Sequence, residues 1–182
     1  MWNIIVFALL GIFAIVFQTA VMHDLPSWFG RPDFLFILLV FISYRFAWIP
    51  GLALVFTLSW MMDVETGVSL GFYPLICLLV FTVLKLVASG KQVKEATYQI
   101  PLLGVAWLVA RFIFHLLDMF TGWLMLPDWE ILQTIEESVL LMIIAIPLFA
   151  LYNNVYVYVQ ERSIRARASR STRRPRRPMR RM

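Results

Sequence analysis

Apolar residues run along this chain in stretches about twenty long, broken by short polar punctuation, with no alternation at the period of a half-buried strand. Four stretches have the length a helix needs to cross a bilayer, about 17–25 residues: Trp2 to Met22, Leu70 to Ala88, Ile100 to Phe120 and Thr134 to Tyr158. A fifth, Phe34 to Met62, is too long, because its 29 residues would make a helix of about 43 Å against a hydrocarbon core of about 30 Å. Tyr44, Arg45, Trp48 and the Pro50-Gly51 pair stand in its middle. Proline with glycine punctuates a helix, and arginine with aromatic residues marks a membrane interface. The region is expected to split into two short helices, Phe34 to Phe46 and Ile49 to Met62. The pattern thus predicts an all-α, polytopic membrane bundle of about six transmembrane helices, two of them short, over residues 1–161.

Composition agrees. Of 182 residues, 61% are apolar and 15% charged, where a soluble domain averages about 45–50% and about 25%. That leaves too few charges to coat a water-facing surface, and no loop is long enough for a large extramembrane domain. Met1 to Val21 lacks a basic n-region and an A-x-A cleavage signal, so it is expected to be a retained helix. The lone cysteine, Cys77, excludes an intrachain disulfide. No CxxC or Cys/His cluster suggests a metal, and no cofactor is expected.

The formal charge of +5 divides sharply along the chain. Residues 162–182 hold ten arginines and no acid: Arg162, Arg165, Arg167, Arg170, Arg173, Arg174, Arg176, Arg177, Arg180 and Arg181. The body before them carries six basic and eleven acidic side chains, a net −5. The Ser/Arg/Pro composition of the tail cannot bury apolar area, which predicts disorder. With six spans both termini share a side, and the arginines place that side in the cytoplasm. Arg45, Lys85, Lys91 and Lys94 then fall inside, while Asp24, Asp33, Asp63, Glu65, Asp128 and Glu130 fall outside with one basic residue, Arg31. A five-helix alternative keeps the last four loops in place and changes only the side of the N-terminus. Trp2, Trp28, Trp48, Trp60, Trp123 and Trp129 lie near predicted helix ends, as interfacial aromatics do, and Trp107 is the exception.

Candidate chemistry is sparse. Arg111, His115 and Asp118 fall on one face of the fifth helix, where ionisable groups are costly and mark function by default. The plainer reading is a polar seam whose members pair with one another. No HExxH motif or nucleophile-and-base spacing accompanies them, so an enzyme is not expected. His23 beside Asp24 reads as a solvated interface residue. Asp128, Glu130, Glu136 and Glu137 precede or open the last helix and complement its dipole; the alternative is a contact surface for a partner outside the membrane. For the tail, each arginine near an anionic leaflet is worth about 1 kcal/mol, so lipid contact is expected rather than nucleic acid, with an acidic cytoplasmic partner as the alternative.

Two outer segments remain. In Arg31-Pro32-Asp33, the aspartate follows a proline and precedes an apolar run, as a helix N-cap does. In the loop from Asp63 to Gly71, Gly67 and Gly71 permit tight turns while Asp63 can cap or brace the loop, and Arg31 can pair with either aspartate. An Arg-Pro-Asp leading into a short apolar helix, a Pro-Gly break, then a helix ending in Asp with glycines four and eight residues on, resembles the rod shape-determining protein MreD family. Thr57, Leu58, Ser59 and Trp60 stand where that family usually has glycines, Ser59 being the nearest small substitute.

The resemblance implies a non-catalytic component of the bacterial cell-wall elongation machinery, in the cytoplasmic (inner) membrane. Implied partners are an MreC-like single-span protein, the actin-like MreB, and the RodA glycosyltransferase with its transpeptidase. It also implies a fold similar to the substrate-binding subunits of energy-coupling-factor transporters, and hence an alternative function as a membrane subunit binding a vitamin-type solute.

Overall fold

The computed structural model describes residues 2–22, 32–67, 71–88, 96–121 and 131–172. Among them the chain is helical throughout, in six helices without strands: α1 (Trp2–Met22), α2 (Phe34–Arg45), α3 (Trp48–Thr66), α4 (Phe72–Ala88), α5 (Ala96–Thr121) and α6 (Ile131–Thr172). Three of these contain segments long and apolar enough to cross a membrane, Trp2–Ala20, Gln99–Leu117 and Ile131–Arg162, consistent with a membrane protein. Large apolar side chains stand exposed along them, among them Leu9, Phe13, Val109 and Ile143, as lipid-facing positions would.

The short helix α2 is the axis of the bundle. It touches all five other helices, and every residue from Leu35 to Ser43 is buried. A helix apolar on all sides is stable only when surrounded, and α2 fits that rule. Its 12 residues rise about 18 Å, little more than half a hydrocarbon core. Toward its C-terminus, Phe41 and Phe46 pack with Phe7 of α1 and with Tyr152 and Tyr156 of α6. Near its N-terminus, Phe36 meets Trp107 of α5 edge to face at 5.0 Å, which explains the one tryptophan placed away from a helix end.

Where the expected boundaries differ, local chemistry gives the reason. The break between α2 and α3 falls at Phe46 and Ala47, both extended, one residue earlier than the expected helix ends at Phe46 and Ile49. Pro50 lies in the first turn of α3, where its missing N–H costs nothing. Gly51 continues the helix and lets Phe81 of α4 pack closely: a Cβ there would stand 2.9 Å from the ring's Cζ. α3 runs beyond Met62 to Thr66 and stops at Gly67, whose φ of 62° is the left-handed conformation that ends helices. α5 begins four residues before Ile100, enclosing Pro101. α6 passes the expected start of the tail at Arg162 and remains helical to Thr172; Arg and Ala, frequent there, are strong helix formers. Arg173, Arg174, Arg176, Arg177, Arg180 and Arg181 lie outside the described residues.

Candidate functional site

The segments around Asp33 and Asp63 meet in space, and the residue joining them is Tyr73. Asp33 is the N-cap of α2: its backbone is extended, and Oδ1 accepts the N–H of Phe36 at 3.1 Å. This meets one of the donors that a helix start leaves unpaired. Gln18 of α1 accepts a second, the N–H of Phe34, at 3.1 Å. The other carboxylate oxygen of Asp33 accepts the hydroxyl of Tyr73 at 2.5 Å.

Asp63, in the last turn of α3, serves the start of α4 in the same way. Its Oδ2 accepts the N–H of Gly71 at 2.5 Å, and its Oδ1 faces the N–H of Tyr73 at 3.4 Å. The positive φ of Gly71, 100°, turns the chain so that its N–H points back at the carboxylate. Thr66 donates its hydroxyl to the carbonyls of Met62 and Asp63. Asp33 and Asp63 are both buried, at 5% and 2% exposure. Burial pushes the Asp33 carboxyl above its ordinary 3.8, opposed by the bonds from Tyr73 and Phe36 and by the positive charge of Arg111. Pro32 is buried beside Asp33, while Arg31, the expected partner of either aspartate, lies outside the described residues.

Arg111 has a partner beyond its own helix. Its guanidinium reaches across to α6 and donates to Glu137 at 2.7 Å, while lying 5.0 Å from the centroid of the Trp107 ring. This corrects the reading of the acidic run. Because α6 starts at Ile131, Glu136 and Glu137 lie beyond its first turn and are not dipole partners. Glu137 is instead buried and ion-paired between helices, whereas Glu136 is exposed. His115 is half-buried on α5. The Asp118 side chain lies outside the described residues, as do His23, Asp24, Asp128 and Glu130. Below the ion pair, the Ser138 hydroxyl donates to the Gly104 carbonyl at 3.2 Å, a second polar tie between α5 and α6.

Ser59 of α3 turns inward. It is 1% exposed and returns its hydroxyl to the Val55 carbonyl at 2.7 Å. It lines a cavity of about 10 Å³ with Leu35, Leu39, Ile42, Val55 and Leu58, space for about one water.

The α2 C-terminus has carbonyls without helical partners, and Lys85 supplies donors to two carbonyls there, Ser43 at 2.9 Å and Phe46. Arg162 is exposed and lies over the Tyr158 ring at 5.1 Å.

Sequence reasoning missed Tyr73, Gln18 and the Arg111–Glu137 pair. Tyr73 had a visible signal, an aromatic hydroxyl two residues after Gly71 at the head of an apolar helix. Searches against protein-family models, curated proteins and solved structures return no match.

Proposed function

We propose that this chain is a non-catalytic scaffold of the rod-type cell-wall elongation complex, embedded in the bacterial inner membrane by six spans with both termini cytoplasmic. The observation that carries the reading is the convergence of Asp33 and Asp63 on Tyr73. The segments with the MreD-like pattern are far apart in sequence, and their carboxylates serve one junction at the outer ends of α2, α3 and α4. Such a junction fixes the relative positions of three helices and performs no chemistry itself. Lateral association in a bilayer depends on surfaces held in fixed register, with packing and a few polar contacts between helices.

The test is copurification. Solubilised from its host, the protein is expected to bring with it a single-span MreC-like partner, and its depletion is expected to convert rods to spheres. MreB, RodA and the RodA transpeptidase are expected further out in the same assembly. Tight vitamin binding with no such partner would favour the solute-binding alternative, in a fold like that of energy-coupling-factor subunits. That alternative needs polar groups free to converge on a solute, and Arg111 is engaged by Glu137. A reporter fused to the N-terminus is expected on the cytoplasmic side; an external N-terminus overturns the six-span orientation.

A further inference from the structure

At the C-terminal end of α2, two cations, Arg45 and Lys85, make hydrogen bonds to neutral groups. Lys85 spends its donors on the carbonyls of Ser43 and Phe46, which flank Arg45 in the chain. Arg45 turns toward α6, donating from Nη2 to the Asn153 side-chain oxygen at 2.6 Å, with its guanidinium 5.7 Å from the Tyr156 ring centroid. Asn153 and the two carbonyls are neutral partners. Among the described residues, no carboxylate lies within ion-pair distance of Arg45 or Lys85. Arg45 is nevertheless held on two sides, by an amide and by a ring, and it is exposed. A guanidinium has five donors in a fixed fork suited to the oxygens of a phosphate. On α6 itself, Leu151 and Val157, on either side of Asn153 in the chain, are exposed apolar side chains.

We infer that Arg45, oriented by Asn153 and Tyr156, binds the phosphodiester of an anionic glycerophospholipid whose acyl chains lie along the exposed apolar side chains of α6. Basic residues between the inner ends of spanning helices take such headgroups, and the phosphate supplies the negative charge that the neutral partners of Arg45 do not. This site belongs to the folded bundle and is separate from the arginine tail. Which leaflet it faces rests on the orientation proposed above; the binding does not, because it is measured in detergent.

The experiment titrates the full-length protein in a neutral detergent with phosphatidylglycerol, cardiolipin, phosphatidylcholine or inorganic phosphate, and follows thermal unfolding. The two anionic lipids are expected to raise the midpoint by roughly 5 °C near saturation, and phosphatidylcholine is not. Arg45→Gln is expected to weaken the apparent affinity about tenfold. Asn153→Ala, which removes the amide hold without changing charge, is expected to weaken it by a smaller factor, and it carries the test should Arg45→Gln not fold. A full-length variant with Arg165, Arg167 and Arg170 all changed to Gln is expected to keep the shift. Loss of the shift in that tail variant with retention in Arg45→Gln and Asn153→Ala overturns the site. An equal shift from phosphatidylcholine or from inorganic phosphate overturns the assignment to an anionic headgroup.

Discussion

The Tyr73 hydroxyl reaches the Asp33 carboxylate across forty residues of chain, at 2.5 Å. The same residue presents its backbone N–H to Asp63, so one tyrosine ties the start of α2 to the end of α3 through the head of α4. Removing the hydroxyl leaves a buried carboxylate oxygen without its donor, a loss of about 1–3 kcal/mol. Tyr73→Phe is therefore expected to lower the unfolding midpoint in detergent and to reduce copurification of a membrane partner. Asp33→Asn keeps an oxygen for the Phe36 N–H and an amide for Tyr73, and is expected to cost less. Equal costs for the two variants would mean that the amide does not replace the carboxylate as the partner of Tyr73.

Asp33 also gives the junction a pH dependence of defined sign. Its carboxyl lies above the ordinary 3.8 because burial disfavours the charge more than Tyr73, Phe36 and Arg111 restore it. The folded state then binds the proton more tightly than the unfolded chain. Its contribution is fully present below about 3.8 and is lost as pH rises through the raised value. Unfolding midpoints measured in steps from pH 4 to 7 are expected to fall more for the native protein than for Asp33→Asn. A steeper fall in the variant would show that the hydrogen bonds outweigh desolvation.

How much of this was legible beforehand follows from what each interaction depends on. Helix number and the break after Arg45 follow from runs of apolar residues and from interfacial residues, which are properties of short windows. Asp33 as an N-cap is local as well. The exits were harder: α3 continues past Met62 because Asp63 faces inward to serve Gly71 and Tyr73, which a count of apolar residues does not register. The Glu137 partner of Arg111 was missed for a similar reason. Spacing within α5 offered His115 and Asp118, whereas Glu137 lies 26 positions away on a helix packed alongside. A one-helix pattern contains no information about which neighbour arrives at that depth.

That ion pair gives a third prediction. Arg111 is about a third exposed at its side chain and Glu137 almost enclosed, so the pair is neither a solvated surface bridge nor fully desolvated. Measured couplings between polar groups on neighbouring membrane helices average about 0.6 kcal/mol and reach about 1.7. A double-mutant cycle with Arg111→Met and Glu137→Gln is expected to give roughly 1 kcal/mol. A coupling near zero would mean that the stacking of Arg111 on Trp107, rather than Glu137, holds the guanidinium in place.

The glycines of the helices separate close packing from mere proximity. At Gly51 an added methyl meets Phe81, a ring with no exposure, at 2.9 Å, with the Phe46 Cβ close behind at 3.4 Å. At Gly104 the nearest atom is closer still, the Met142 sulfur at 2.7 Å, but that side chain is unbranched and rotates out of the way. Overpacking against a rigid neighbour costs about 1–3 kcal/mol. Replacing glycine by alanine within a helix otherwise gains roughly 0.5–1 kcal/mol. Gly51→Ala is therefore expected to destabilise the α3–α4 packing and Gly104→Ala to be neutral or mildly stabilising, as read from unfolding midpoints in the same detergent. The reverse order would mean that Phe81 has room to shift while Met142 is held by its surroundings on α5 and α6.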